Sequence, residues 1–286
     1  AMDLNPDQLI AMGRIRERGL AARLLEAVNR FILRRSSLIV ALDRFMESRL
    51  LARGDFRDKM LVVPPWPHDE VLEEVDRSAN PFIARHGLSG KLVVMYSGNH
   101  GLGTPVTTLL EAAVAFKDDD RVRFVFVGGG FGKQEVDDCI QEQGLRNMLS
   151  LPYQPLADLK YSLSAADVHV VSLGDKLAGI CHPCKVYGAM AVGRPVLYLG
   201  PRPSHISDIL DAHRCGWQVD QGDVQGMRAR IEAILATPRP QLEAMGENAR
   251  QAVRANLSQS ILLGRLADRL EQTFGSGWGA APSPGG

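Results

Sequence analysis

Two glycine-rich stretches and one lysine carry the most legible chemistry of this chain. Ser97-Gly98-Asn99-His100-Gly101-Leu102-Gly103 follows one apolar run and leads into Thr104-Pro105, and Gly128-Gly129-Gly130-Phe131-Gly132-Lys133 follows a second. Glycine lacks a Cβ, so backbone amides can close on a ligand, and a helix starting after such a loop aims free N–H groups and a positive dipole end at an anion. Two such loops, with Lys133 and Lys185 nearby, point to a phosphate or diphosphate pocket rather than to two plain turns. The densest stretch is KLAGICHPCKVYGAMAVGRPVLYLG. Pro183 suits a first helical turn, which puts Lys185 beside the helix's N-terminal amides, where its charge reinforces the dipole against a diphosphate leaving group. Gly188, one turn on, leaves room for a ligand or a backbone to approach.

Other chemistries fit less well. The glycines at Gly98 follow G-x-x-G-x-G rather than G-x-G-x-x-G, and the second apolar run ends at Val127-Gly128, where a dinucleotide site needs an acid for the ribose. The phosphate loop G-x-x-x-x-G-K-[ST] is absent. Cys181 and Cys184 form a C-x-x-C at a helix start, which makes a thiol redox protein the alternative from another class. Against it, the preceding LGDKLAGI is a poor strand; Cys139 and Cys215 stand alone, so no zinc set forms and no metal ligands are expected. Asp118-Asp119-Asp120 has metal-site chemistry but precedes a strand, at the wrong end of a sheet, and reads as a solvated turn.

The elements that must hold these loops follow from hydrophobic pattern. The chain has 286 residues, 45% of them hydrophobic and 23% charged, with 33 basic and 33 acidic side chains. Zero net charge gives no global attraction to nucleic acid, so no nucleic-acid partner is expected, and no apolar run is long enough to span a bilayer. From Lys91 onward, continuous β-branched runs alternate with amphipathic stretches six times, near 91–97, 122–128, 147–151, 168–172, 195–199 and 216–220. This predicts an α/β fold with a doubly wound parallel six-stranded sheet covered on both faces. Gly144, Gly193 and Gly216 read as helix stops. Before residue 80, an Arg-rich helix over about 14–35, two short strands and a helix make a partial α/β domain, too small to close a core. Its stripe Leu20, Leu24, Val28, Phe31 and Ile32 is read first as a packed face, with a membrane-surface helix as the alternative. The expected organisation is a partial N-terminal domain over 1–75, a ligand-binding domain over 76–255, a returning helix over 256–274 and a disordered tail over 275–286.

In order along the chain, SGN with its glycine-rich helix start, FVGGG, LPYQPLADLKYSLSAADVHVVSL and HPCKVYGAMAVGRPVLYLG resemble the C-terminal donor-binding domain of family 4 glycosyltransferases of the GT-B fold. The resemblance is to the bacterial branch that makes cell-surface polysaccharides and lipid-linked glycans, and the segment before VVPPWP resembles the end of such an enzyme's N-terminal domain. It implies transfer of a hexose from a nucleotide diphosphate sugar, UDP first, to a glycan or lipid-linked acceptor, with retention and without a metal cofactor. A cytoplasmic protein is expected from the lack of a spanning or signal segment, with peripheral contact at the inner membrane face as a further expectation. Gly98, Asn99 and Gly101 then match the loop against the donor diphosphate, Gly128, Gly129 and Gly130 the second glycine turn with Lys133 after it, and Tyr153 and Gln154 the segment beside the nucleobase. Lys185, after Pro183-Cys184, matches the branch's P-S-K lysine and is expected, with His100, to be catalytic; Gly188 joins the donor contacts. The family's glutamate pair is missing, with Ile180 and Gly188 at its two positions, which leaves the ribose contact open and keeps a non-catalytic nucleotide-binding module as an alternative.

Overall fold

The structure is a computed structural model that describes residues 4–67 and 75–275, so the tail expected to be disordered lies almost wholly outside the described residues. The chain divides into two compact units, one from the described parts of 1–66, 179–182 and 256–286, the other from those of 67–178 and 183–255.

In the first unit, β1 (Ile39–Ala41) pairs in parallel with β2 (Met60–Val62). The helix Leu20–Arg35 precedes β1, and Lys59 Nζ donates to the carbonyls of Leu33, Arg34 and Ser36 at 2.7, 3.1 and 2.9 Å, a cation placed where the helix dipole is negative. This helix begins later than its charge pattern suggests. Arg14, Arg16 and Arg18 fall outside the helix, before the Gly19 cap, so the arginine face is shorter than the expected 14–35 helix. Leu20, Leu24, Val28, Phe31 and Ile32, expected as a packed face, are instead exposed on it. Asp43 caps the next helix, Arg44–Leu51, through Oδ1 to the amides of Phe45 and Met46 at 2.9 and 2.8 Å. Its other oxygen meets buried His182 Nδ1 at 2.8 Å. The helix Gln259–Phe274 joins this unit, Arg265 donating to the Val62 carbonyl at 3.1 Å.

The second unit holds six parallel strands: β3 (Leu92–Ser97), β4 (Val122–Val127), β5 (Met148–Leu151), β6 (Val168–Ser172), β7 (Val196–Leu199) and β8 (Gly216–Val219). Their spatial order is β5-β4-β3-β6-β7-β8, so the winding reverses between β3 and β6. Side-chain alternation divides each strand between two helix layers. Val94, Tyr96, Phe124, Phe126, Val168 and Val170 pack with helices Thr107–Val114 and Val224–Ala236; Val93, Met95, Val125 and Val127 pack with Phe82, Ile83, Ala165 and Ala166. At the amino end of the sheet, buried Asp167 locks β3 to β6: its carboxylate accepts from the Val93 amide at 2.8 Å and pairs with Arg77 at 2.9 Å and Arg239 at 3.0 Å. Asp119 and Asp120 stand at that same end, paired with Arg121, Lys91 and Arg123. Lys91 and Arg123 hold the Asp120 carboxyl down at about 2.

Two helix signals resolve differently from the sequence reading. The helix after β3 starts at Thr107 rather than at Thr104-Pro105, because Thr104 is spent on the loop itself. The helix His205–His213 stops at Arg214, which adopts φ +49°. Gly216 is instead the first residue of β8, where a Cβ would lie 2.0 Å from the Val196 carbonyl oxygen. The Ser204 start is a full capping box, Ser204 and Ser207 each bonding the other's amide. Among the described residues no helix is long and apolar enough to cross a membrane.

Candidate functional site

In an open parallel sheet a ligand crevice forms outside the carboxyl ends of the strands, where the winding reverses. Here that place is the end of β3 beside β6, and the loop leaving β3 is Gly98–Gly103. The loop is held by its own backbone. Gly98 N donates to Val127 O at 2.9 Å, His100 N to Gly129 O at 2.8 Å, and Gly132 N back to His100 O at 2.8 Å, so the two glycine loops are stapled into one surface. Gly174, just past β6, donates to Gly103 O at 2.9 Å.

The approach is too close for side chains. Gly98, Gly128 and Gly130 adopt φ of +124°, +128° and +114°, a region other residues rarely enter. A Cβ on Gly128 would sit 2.0 Å from Gly98 O, and one on Gly130 2.2 Å from Asn99 Oδ1. Gly129 lies under Tyr153, whose ring would be 3.1 Å from a Cβ there and whose hydroxyl is 3.4 Å from the Gly129 carbonyl. Tyr153 is exposed on the loop rim, and Gln154 turns back to donate to Pro152 O at 2.9 Å.

Lys185 opens the helix Lys185–Ala191, with Cys184 as its cap and Pro183 one residue before that. Pro183 therefore precedes the helix instead of occupying its first turn, and Lys185 takes that place. Its ammonium donates to the Asn99 carbonyl at 2.9 Å and its stem covers Gly98, where a Cβ would meet Cε at 2.7 Å. Burial pushes the lysine down to about 8. Lys133, expected to share the pocket, directs its ammonium to Ser150 Oγ and, at 3.4 Å, to Asp137. Gly101 borders open space, with only Asn99 Nδ2 at 3.4 Å and Thr104 Oγ1 at 3.8 Å from a Cβ there.

His100, expected to be catalytic, is 1% exposed, with its ring under the loop 4.6 Å from the Tyr96 ring. Among the described residues neither imidazole nitrogen makes a well-formed hydrogen bond, although the backbone of Gly129 and Gly98 near the ring favours its protonated form. Burial, together with the charges of Lys133 and Lys185, pushes it down to about 4, so at neutral pH the ring is uncharged. Its visible contribution is the two backbone bonds that join the loops. At Gly188 no backbone comes close: a Cβ would meet only Leu163 Cδ1, at an ordinary 3.5 Å. Gly188→Ala should therefore stabilise the fold by about 0.5–1 kcal/mol, as alanine does in a helix interior. Urea unfolding measures this, and a loss of stability would mean a tighter site than this geometry allows.

Sequence reading missed Tyr96 and Thr104. The Tyr96 hydroxyl donates to Asn99 O at 2.9 Å and lies 3.0 Å from Thr104 Oγ1, which in turn receives the Gly101 amide at 3.2 Å. A polar-tipped aromatic at the end of an otherwise aliphatic strand was the available signal. The four cysteines form no disulfide. Cys181 Sγ accepts from Gln8 Nε2 at 3.3 Å within the first unit, whereas Cys184 is exposed at the helix cap in the second.

Two stapled glycine loops and a half-buried lysine thus stand together at the switch point of an open, doubly wound α/β sheet. The model of the family described as glycosyl transferases group 1 matches residues 81–252, and the chain belongs to that family. It is 26% identical over 265 residues to Probable glycosyltransferase WbjE of Pseudomonas aeruginosa, covering 93% of this chain and 65% of WbjE. It is 28% identical over 178 residues to the colanic acid biosynthesis protein WcaI of Escherichia coli, covering 61% of this chain and 43% of WcaI. The chain thus spans less than two thirds of the length of these relatives. Its fold is that of GT-B glycosyltransferases. Anabaena HepE in complex with UDP-glucose superposes with a TM-score of 0.73 at 17% identity, over 88% of this chain and 68% of HepE. WaaG, a glycosyltransferase involved in lipopolysaccharide biosynthesis, superposes with a TM-score of 0.69 at 16% identity, over 96% and 74%.

Proposed function

We propose that this chain binds the diphosphate of a nucleotide sugar, UDP-linked, and that in the whole protein the site serves transfer of a hexose to a glycan or lipid-linked acceptor with retention. The observation that carries the reading is the stapled surface at the β3 end, with positive φ at Gly98, Gly128 and Gly130 and the Lys185 ammonium on Asn99 O. Three glycines held in left-handed backbone make a concave surface with no side chains, and the adjacent ammonium supplies charge for a departing diphosphate. HepE in complex with UDP-glucose, and the glycan pathways for which WcaI and WaaG are named, support the donor and acceptor classes. The Lys185 ammonium would then provide the charge that a divalent cation provides elsewhere, so binding should not need one.

Calorimetry with UDP, GDP and dTDP, each with and without EDTA, tests this. UDP should bind most tightly and equally well in chelator. Absence of binding by all three nucleotides would defeat the donor reading; loss in EDTA would defeat only its metal independence.

The thiols are outside this chemistry. Replacing Cys181 and Cys184 together by Ser should change UDP binding by no more than about 1 kcal/mol, since a small side chain is exchanged for one of similar volume. Insulin reduction by the unsubstituted protein, lost in the double variant, would favour a redox protein instead.

A further inference from the structure

Tyr96 links every part of the site that faces Lys185. It is the penultimate residue of β3, its side chain fully buried, and its phenol, pushed up to about 12 by burial, stays neutral. The Lys185 ammonium stands 5.0 Å from the centre of the Tyr96 ring. The Asn99 carbonyl accepts from both, at 2.9 Å from the Tyr96 hydroxyl and 2.9 Å from Lys185 Nζ. The His100 ring lies against the same tyrosine at 4.6 Å.

We propose that Tyr96 is the positioning residue for Lys185: its ring face holds the ammonium by a cation–π contact, and its hydroxyl fixes the carbonyl on which that ammonium rests. The inference rests on the donor reading above and adds to it the device that keeps a half-buried lysine charged without a carboxylate. A lysine drawn from water shifts toward its neutral form unless something favours the cation. No salt bridge to Lys185 is found among the described residues. The groups that face it are Tyr96 on β3, His100 on the loop and, at its helix cap, Cys184, whose charge also favours the ammonium, with Lys133 acting on His100. Because His100 stays neutral above about 4, the tyrosine ring serves one cation and not two. An aromatic face within about 6 Å, partly shielded from water, is what stabilises such an ammonium.

The test measures UDP binding against pH for the 286-residue chain and three changes at position 96. In the unsubstituted chain, affinity should fall as pH rises through about 8, where Lys185 loses its proton. Tyr96→Phe keeps the ring and should hold that midpoint, with affinity within about twofold, since only the hydroxyl's grip on the carbonyl is lost. Tyr96→Leu removes the ring and should lower the midpoint by roughly half a unit and weaken UDP about fivefold. Phenylalanine fluorinated around its ring, introduced at position 96, keeps the shape but drains the negative face, and should lower the midpoint in step with fluorine number. This series decides the question even if Tyr96→Leu fails to fold. A midpoint that fluorination leaves in place overturns the role of Tyr96, provided Lys185→Ala still weakens UDP. If Lys185→Ala leaves UDP binding intact, the donor reading itself fails, and the Tyr96 role with it.

Discussion

Gly128→Ala should abolish UDP binding, a loss of more than about a hundredfold, and should lower stability by about 3 kcal/mol. Two costs add. At φ +128° an alanine is strained wherever it points, and its Cβ would lie 2.0 Å from Gly98 O and 2.8 Å from Gly98 C. Neither backbone can give way cheaply. Gly98 N is committed to Val127 O and Gly128 N to Leu151 O, both at 2.9 Å, so moving either loop breaks pairing at the carboxyl end of the sheet. The comparison is Gly101→Ala, whose Cβ would meet the movable Asn99 amide nitrogen at 3.4 Å and Thr104 Oγ1 at 3.8 Å, both ordinary contacts, and which should fold with near-normal stability. Urea unfolding and calorimetry on both variants provide the measurement. A Gly128→Ala protein that folds and binds UDP normally would show that the two loops do not form one surface.

That contrast also shows why the glycine loops were legible in the amino-acid order. A run such as Gly128-Gly129-Gly130 is costly unless backbone must pass backbone, so composition reports geometry directly. The six strands of the second unit were legible for a related reason. Strands buried on both faces need unbroken β-branched and aromatic runs, and β6 falls at residues 168–172 as its pattern predicts. Helix starts were less legible. Thr104 has a capping residue's chemistry, but the same hydroxyl can serve a loop, and here it binds Gly101 and lies beside Tyr96. The stop at Arg214 was hidden because left-handed backbone was assigned to the nearest glycine, whereas Gly216 was needed for close approach to Val196.

Polar side chains misled in the opposite direction. A histidine within a glycine loop suggests proton transfer, yet His100 is packed on Tyr96 and Phe126, and burial removes its charge. Tyr96 reads as one more apolar strand residue, and nothing in a one-dimensional pattern shows that its hydroxyl and Lys185, far apart in sequence, meet at one carbonyl. Likewise Lys133 has the right spacing for a phosphate contact, but Asp137, one turn on in its own helix, shares its ammonium with Ser150.

Lys185→Ala should then weaken UDP by about 1.5–3 kcal/mol, roughly tenfold to a hundredfold and more, the range for a hydrogen bond to a charged group. The variant should keep its fold, because the ammonium contributes one bond to a loop carbonyl while the loop's own amides hold it in place. The sign of the pH dependence follows from burial. Lys185 is pushed down from its ordinary value to about 8, so below that pH the ammonium is present to meet the diphosphate, and above it the charge is lost. Bound diphosphate favours the ammonium and raises the titration point, so affinity begins to fall above about pH 8 and levels off once the bound form titrates as well. In Lys185→Ala this descending limb should vanish, leaving a flat, weak profile through the same range. Lys185→Arg separates charge from position: a planar guanidinium keeps the charge at every accessible pH but does not reproduce a compact ammonium over the Tyr96 ring. It should therefore remove the pH dependence while recovering only part of the affinity. An alanine variant whose affinity still falls through pH 8 would move the titrating group, and the diphosphate with it, away from Lys185.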